Sequence, residues 1–291
     1  MAWTLTEDLE EFTTAASSFL RERPAQNTVA LTIMATLGTS GLGYFGAHPP
    51  MFGWWKPPGG TVTAACLQTP PFPLLLSSGP PAAFDELAAT LADAGRTLPG
   101  VNGGEAGAQR FAAQWQQLTG AGTTVSQRHR MYRLGALVPP RPAPEGHDKL
   151  ATPADRDLVI EWFAAFGEEA GTLAARGTEQ AARMAGERID DGCLTLWEVA
   201  GEPVSMAGVT RQVAGMVRVG PVYTPPKLRR HGYAAAVTAA ISQAALDAGA
   251  AEVLLFTDLA NPTSNGVYLR LGYHPVEDRV LLAFDPTPSA H

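Results

Sequence analysis

Cysteine, net positive charge and long apolar runs are all scarce in this chain of 291 residues. Its only two cysteines, Cys66 and Cys193, exclude a disulfide framework, and we expect both to be small buried thiols. No stretch approaches the roughly 20 apolar residues that span a bilayer. The first residues lack the basic segment and apolar core of a signal peptide. We therefore expect a soluble, cytoplasmic protein without a membrane partner.

Charged residues are few, and acidic ones exceed basic ones. They make up 17% of the chain and give a formal net charge of −7, which argues against nucleic acid as a main partner. Hydrophobic residues reach 45%, enough for a substantial core. The histidines show no spacing typical of metal ligands, so we expect no metal site. They are His48, His129, His147, His231, His274 and His291.

One proline-dense segment lies near the midpoint of the chain. Residues 139–146 read Pro-Pro-Arg-Pro-Ala-Pro-Glu-Gly, a composition typical of an extended, semi-rigid linker. Domain boundaries usually fall in such segments. We therefore predict a first domain over residues 1–138, a linker over 139–148 and a second domain over 149–291.

The first domain is predicted to mix helices and strands. Branched residues predict a strand at 28–37, after which the glycine cluster at 38–43 runs into Pro49 and Pro50. A nucleotide-binding loop would open a helix instead, so we interpret the cluster as a hairpin turn. Helices are predicted at 5–22, 81–94 and 105–118, further strands at 61–67, 72–77 and 123–138, and a short strand or turn at 98–102.

The second domain is predicted to centre on a strand–helix–strand unit. A strand over 214–223 leads into a helix that ends at Gly249, and the apolar run 253–257 suits a strand covered on both faces. Such a unit makes a parallel pair with a right-handed crossover. The remaining predictions are helices at 155–166, 178–189 and 261–272, antiparallel strands at 193–199 and 202–208, and closing strands at 273–276 and 279–284.

The connection from strand to helix, Val219–Ala236, has the chemistry of an anion site. Backbone N–H groups at a helix start lack intrahelical partners, and the helix dipole adds partial positive charge there. Such an end binds phosphate when no bulky side chain keeps the phosphate from the backbone. Gly232 and Ala234 allow this close approach, and Arg229 and Arg230 add charge. The segment therefore predicts a phosphate-binding loop.

Three stretches together resemble the GNAT superfamily of N-acetyltransferases. They are the Arg-x-x-Gly-x-Ala loop within Val219–Ala236, the strand end Thr257–Asn261, and Asn265–Tyr273. The resemblance covers about residues 149–285. It implies an α/β (α+β) fold, the acyl-CoA N-acyltransferase fold, with a mixed, mostly antiparallel central sheet, a splayed strand pair and flanking helices.

The resemblance also implies direct acetyl transfer from acetyl-CoA (coenzyme A) as cosubstrate to a small-molecule, peptide or protein amine. Main-chain groups at the strand end would contact the pantetheine arm, and the following loop would hold the pyrophosphate. Tyr268 resembles the family's general acid, which protonates the departing thiolate. The implied cofactor-binding residues are Val222, Tyr223, Thr224, Arg229, Arg230, His231, Gly232, Tyr233, Ala234 and Asn261.

Several alternatives stay open at this point. Tyr268 could be a core aromatic residue, and Asn261 before Pro262 could simply form a turn. Glu198 and Asp258 are candidate general bases, and neither is favoured. The whole domain could be an acyl-CoA-binding sensor without catalysis; a nicotinamide oxidoreductase is disfavoured because no Gly-x-Gly-x-x-Gly opens a helix after a strand. The acceptor, expected near residues 160–190, and the choice of monomer or homodimer are not specified.

The order of predicted elements suggests that the second domain is the intact copy of a tandem duplication. Similar helix ends, at Gly95 and Gly249, lie about half the chain apart, and each helix follows a Pro-Pro step. Under this alignment Gly232 corresponds to Ser78 and Arg229 to Leu75. The first copy therefore lacks the loop chemistry, and we expect one cofactor per chain.

Overall fold

A computed structural model describes residues 3–171 and 178–285 as two compact units. Unit 1 comprises Met1–Arg130 and Glu277–His291, and unit 2 comprises Met131–Val276. None of the described helices is long and apolar enough to cross a membrane.

The first half of the chain contains six strands and four helices among the described residues. In chain order they are β1 Trp3–Thr6, α1 Leu9–Glu22, α2 Thr28–Ser40, β2 Met51–Trp55, β3 Ala64–Gln68, β4 Leu74–Leu76, α3 Pro81–Asp93, β5 Gly100–Gly104, α4 Glu105–Thr119 and β6 Thr123–Leu134.

The second half follows in the same order. Its described elements are β7 His147–Leu150, α5 Arg156–Glu169, α6 Thr178–Asp190, β8 Leu194–Val199, β9 Glu202–Val209, β10 Met216–Tyr223, α7 Tyr233–Asp247, β11 Glu252–Asp258, α8 Pro262–Arg270 and β12 Tyr273–Phe284. Both halves therefore read strand, two helices, three strands, helix, strand, helix and strand.

Unit 1 is built on a mostly antiparallel sheet in the order β1-β2-β3-β4-β5-β12. Among the described residues of this unit, only β4 and β5 pair in parallel, with α3 between them in the chain. The core lies where α3 and α4 cover this sheet, and it includes Phe84, Leu87, Phe111, Trp115 and Phe284. Positions three and four apart on each helix supply this apolar face.

Unit 2 has a sheet of the corresponding order, β7-β8-β9-β10-β11-β6. The parallel pair β10–β11 flanks α7 in the chain, which confirms the predicted strand–helix–strand unit. The other recorded pairs, β7–β8, β8–β9 and β9–β10, are antiparallel. A buried cluster under α7 includes Val219, Val237, Ile241 and Leu255, and a second lies between α5, α6 and strands β8 and β9.

The last strand of each half lies in the sheet of the other unit. Arg279–Ala283 of β12 pairs with Gly104–Gly100 of β5, although we predicted that residues 279–284 would complete the second domain. Likewise, Met131–Leu134 of β6 belongs to unit 2, where β6 neighbours β11. The units therefore differ from the predicted division into residues 1–138 and 149–291, because strand pairing exchanges these two segments. The predicted linker 139–148 lies wholly within unit 2.

The segment predicted as a strand at 28–37 is helix α2, so that prediction is wrong. Thr32 and Thr36 donate their hydroxyls to the carbonyls four residues earlier, at 2.7 and 2.9 Å, so the helix itself satisfies both hydroxyls. The buried positions Ala30, Leu31, Met34 and Leu37 follow a helical period. Residues 38–40 of the glycine cluster form the last turn of this helix and Gly41 is its C-cap, so the cluster is not a hairpin turn.

Substitution of Gly100 tests the pairing of β12 with β5. A Cβ at this position would collide with the backbone oxygen of Leu282, so Gly100→Ala should lower the free energy of unfolding by about 1–3 kcal/mol. It should also speed amide hydrogen exchange in 279–284. Gly38→Ala is the matched control, since a Cβ there meets nothing within 4 Å. Unchanged exchange in Gly100→Ala would contradict the exchanged strand.

Candidate functional site

The parallel strands β10 and β11 separate before they end. Their register runs from Met216↔Glu252 to Val219↔Leu255, and within the described residues the ladder stops there. The pairing of β10 with β9 shifts between Val219 and Val222, which marks a bulge. Beyond this point β10 continues to Tyr223 and β11 to Asp258. The opening leaves main-chain groups of β10 without a strand partner on one side.

Side chains from β9 fix the end of β10. The buried Ser205 donates its hydroxyl to the carbonyl of Tyr223 at 2.9 Å and accepts from the Thr224 hydroxyl at 2.8 Å. The Tyr223 carbonyl therefore faces β9. Because main-chain groups alternate in direction along a strand, the N–H and C=O of Val222 face the opening toward β11. Among the three strand-end residues predicted to contact a ligand, Val222 is the best placed.

A left-handed turn then leads into α7. Arg230 has φ 70° and Gly232, the residue before the helix, has φ 86°. The first helical hydrogen bond runs from Ala236 N to Gly232 O at 3.1 Å. In the described part of the chain, the amides of residues 230–235 have no hydrogen-bond acceptor. The turn thus presents a run of unpaired N–H groups at the positive end of the helix dipole, as the loop sequence predicts.

The side chain of Arg229 is engaged in hydrogen bonds with other residues of the protein. Its Nη2 lies 2.7 Å from both carboxylate oxygens of Glu169 at the end of α5, and its Nε donates to the Thr224 carbonyl at 2.9 Å. Its guanidinium also lies 5.8 Å from the ring centre of Tyr223. Arg230, His231 and Tyr233 have no ion pair among the described residues, and the His231 and Tyr233 rings stack at 5.5 Å. Arg229 therefore ties the turn to α5.

The proline-rich segment lies beside the same turn. A Cβ on Gly232 would be 3.7 Å from the ring atoms of Pro144, and Trp197 Nε1 donates to the Glu145 carbonyl at 2.9 Å. The left-handed φ of Gly232, rather than a close contact, therefore disfavours other residues at this position.

The N-terminus of α8 is organised by two asparagines. Asn261 caps the helix by accepting from Ser264 N at 3.1 Å, which agrees with its reading as a turn former and leaves its amide NH₂ available. Asn265 accepts from the hydroxyls of Thr257 and Tyr132 and donates to the carbonyls of Asp258 and Asn261. The sequence alone does not single out Asn265 as a site residue, because three of these partners, Thr257, Asp258 and Tyr132, lie on strands.

Tyr268 packs against the same buried cluster as Val222 and Ala235. Its ring meets the edge of Tyr273 at a centroid distance of 6.0 Å. Burial raises the pKa of its phenol to about 12, because a phenolate would lose its hydration there. Its hydroxyl makes no hydrogen bond to any described residue. The phenol of Tyr268 is therefore protonated at neutral pH, and its hydroxyl is available to donate a hydrogen bond to a ligand.

The two candidate bases are differently placed. Glu198 lies 3.0 Å from Lys149 Nζ and 3.7 Å from His147 Nε2, at the pairing of β7 with β8. Asp258 accepts from Ala260 N at 2.8 Å at the exposed end of β11. Part of the expected acceptor region, residues 172–177, lies outside the described residues. Across the described ranges, no group of three or more potential metal ligands lies together.

Residues 156–273 match the model of the acetyltransferase (GNAT) family. No curated protein matches the chain at a significant level. Similar solved structures include a GNAT-family acetyltransferase from Colwellia psychrerythraea, with 12% identity, a TM-score of 0.59 and coverage of 98% of this chain and 99% of that one. A Drosophila protein shares 11% identity, with a TM-score of 0.65 and 99% coverage of both chains.

A GCN5-related N-acetyltransferase from Sphaerobacter thermophilus is 19% identical over 79% of each chain, with a TM-score of 0.56. At these identities the structural likeness shows the fold alone. The family match by itself assigns residues 156–273 to the acetyltransferase (GNAT) family. The structural likeness confirms the predicted mixed, mostly antiparallel fold.

Replacement of Arg229 by lysine tests whether this residue holds the turn. Lysine keeps the charge but cannot bind Glu169 and the Thr224 carbonyl in the same fork-like geometry. Arg229→Lys should therefore speed amide hydrogen exchange in residues 224–232. Arg230→Lys is the matched control, and its exchange should equal that of the wild type. Equal exchange in the two variants would show that the pair with Glu169 does not order the turn.

Proposed function

We propose that unit 2 is an N-acetyltransferase that uses acetyl-CoA to acetylate an amine by direct attack. One arrangement of three features carries the proposal. A run of unpaired N–H groups at the start of α7 adjoins the opened end of β10, and the phenol of Tyr268, which has no hydrogen-bond partner among the described residues, packs on the same core. The first feature suits a pyrophosphate, the second an extended polar arm, and the third a proton donor.

The turn would hold the pyrophosphate chiefly through its backbone. The amides of residues 230–235 are donors directed away from the helix, and the exposed Arg230 adds positive charge. Arg229 contributes indirectly, by fixing the turn against α5. The main-chain groups of Val222 and the free amide NH₂ of Asn261 are the polar groups best placed for the pantetheine arm.

Tyr268 would act as the general acid. Acetyl-CoA supplies a thioester whose carbon–sulfur bond breaks as the amine nitrogen bonds to the acetyl carbon. Tyr268 Oη holds its proton until that step because burial raises its pKa to about 12, and it would donate the proton to the leaving sulfur. Solvent would then reprotonate Oη. The group that removes the proton from the amine is unassigned.

Unit 1 would be the degenerate copy of a tandem duplication. Its equivalent helix, α3, begins at Pro81 after Pro80, and prolines have no N–H to offer an anion. The end of β4 is also less available to a ligand, because its Leu76 carbonyl already accepts from the buried Arg279 at 3.4 Å. Arg279 donates to the Gln26 carbonyl at 3.4 Å as well. The chain would therefore bind one acetyl-CoA.

A bulky residue at Gly232 should abolish acetyl-CoA binding. Gly232→Leu would cover the unpaired amides and disfavour the left-handed turn. Gly249→Leu is the matched control, because Gly249 follows the other end of α7, has φ 84°, and a Cβ there meets nothing within 4 Å. The measurement is calorimetric titration with acetyl-CoA. Retained binding by Gly232→Leu would overturn the assignment of the loop.

Replacing Tyr268 by phenylalanine should lower kcat by about 10²–10⁴-fold, the usual contribution of a general acid, with the Kd for acetyl-CoA nearly unchanged. Release of free CoA thiol with a panel of amines gives the rate, and calorimetry gives the Kd. An unchanged kcat would remove Tyr268 as the acid. Tight acetyl-CoA binding by the wild type without CoA release for any amine would instead indicate a sensor.

A further inference from the structure

Tyr132 is a buried tyrosine whose hydroxyl points toward the candidate site. It lies in the part of β6 that belongs to unit 2, and only 1% of its surface is exposed. In the described part of the chain, its hydroxyl has one partner, Asn265 Oδ1 at 3.2 Å. A buried hydroxyl without a partner costs free energy. The bond to Asn265 is thus the one that satisfies Tyr132.

The orientation of the Asn265 amide follows from its partners. Its Nδ2 faces two carbonyls, Asp258 O at 3.1 Å and Asn261 O at 2.8 Å, which can only accept. Its Oδ1 faces two hydroxyls, those of Thr257 and Tyr132, which can donate. All four hydrogen-bonding positions of the side chain are therefore used. Asn265 connects the end of β11, the start of α8 and strand β6.

Asn265 and Tyr268 lie three residues apart on α8, so they share one face of the helix. A rotation of the helix that moved Tyr268 would break the bonds of Asn265. The helix is short, Pro262–Arg270, and packs on the core through the partly buried Val267 and Tyr268. The four hydrogen bonds of Asn265 add a directional restraint to this packing.

We propose that Tyr132 is a positioning residue for Tyr268 and acts through Asn265. The inference rests on the proposed acetyltransferase activity. It also gives the first half of the chain a role in catalysis, because β6 is the last strand of that half and supplies Tyr132 to unit 2. The role differs from pyrophosphate binding, since none of the four bonds of Asn265 involves residues 229–235.

The test is a double-mutant cycle in the full chain with Tyr132→Phe, Asn265→Ala and the double variant. Tyr132→Phe should lower kcat about threefold to tenfold, the rate equivalent of one hydrogen bond, and leave the KM for acetyl-CoA unchanged. In the Asn265→Ala background, Tyr132→Phe should have no further effect on kcat. The probe is CoA release with the amine that the wild type acetylates fastest.

Thr210→Val is the matched control. Thr210 lies in unit 2 and its Oγ1 accepts from Arg218 N at 3.0 Å, so the variant also removes a hydrogen bond of unit 2 without touching Asn265, Tyr268 or Tyr273. It should keep kcat within about twofold of the wild type, whatever its stability. An equal loss of kcat in Thr210→Val and Tyr132→Phe would mean a general stability effect and overturn the positioning role.

The remaining outcomes also decide the matter. An unchanged kcat in Tyr132→Phe, or the same loss in both backgrounds, overturns the inference and leaves the acetyltransferase standing. If Asn265→Ala does not fold, amide hydrogen exchange of residues 258–270 in Tyr132→Phe replaces the cycle: faster exchange supports the role and unchanged exchange overturns it. If the wild type releases no CoA with any amine, the proposed function fails and this inference falls with it.

Discussion

The separation of β10 from β11 is the constraint on which the candidate site depends. Backbone donors and acceptors inside a sheet are normally paired, so strands that part must leave polar groups for another partner. Here the ladder stops at Val219↔Leu255, and the chain turns through a left-handed Arg230 and Gly232 before α7 begins. Unpaired groups at the strand end and the helix start thus come from one local feature of the backbone.

Polar side chains hold both sides of this opening. On one side, Ser205 and Arg229 bind the carbonyls at the end of β10, and Glu169 anchors Arg229 to α5. On the other, Asn265 binds the end of β11 and the start of α8. A site of fixed geometry needs such support, because exposed loops alone would not keep a ligand and a proton donor in fixed relative positions.

Local signals in the sequence predicted much of unit 2. Gly232 and Gly249 mark the ends of α7, and the apolar run 253–257 marks a parallel strand, since these depend on nearby residues alone. Helix α2 was mispredicted because threonine and other branched residues generally favour strands. In a helix, however, the threonine hydroxyl can bond a carbonyl of the preceding turn, as it does here. The exchange of β6 and β12 could not be predicted, because the choice of strand partner depends on distant residues. For the same reason Tyr132 and Asn265 were missed as partners.

The most direct test of the central claim is a titration of the isotope-labelled full chain with acetyl-CoA, followed by the backbone amide resonances. We expect saturable shifts that are largest for residues 230–235, with the amide of Val222 also affected and one equivalent bound per chain. Saturation with these amides unchanged, or the largest shifts in the first turn of α3, would contradict this claim.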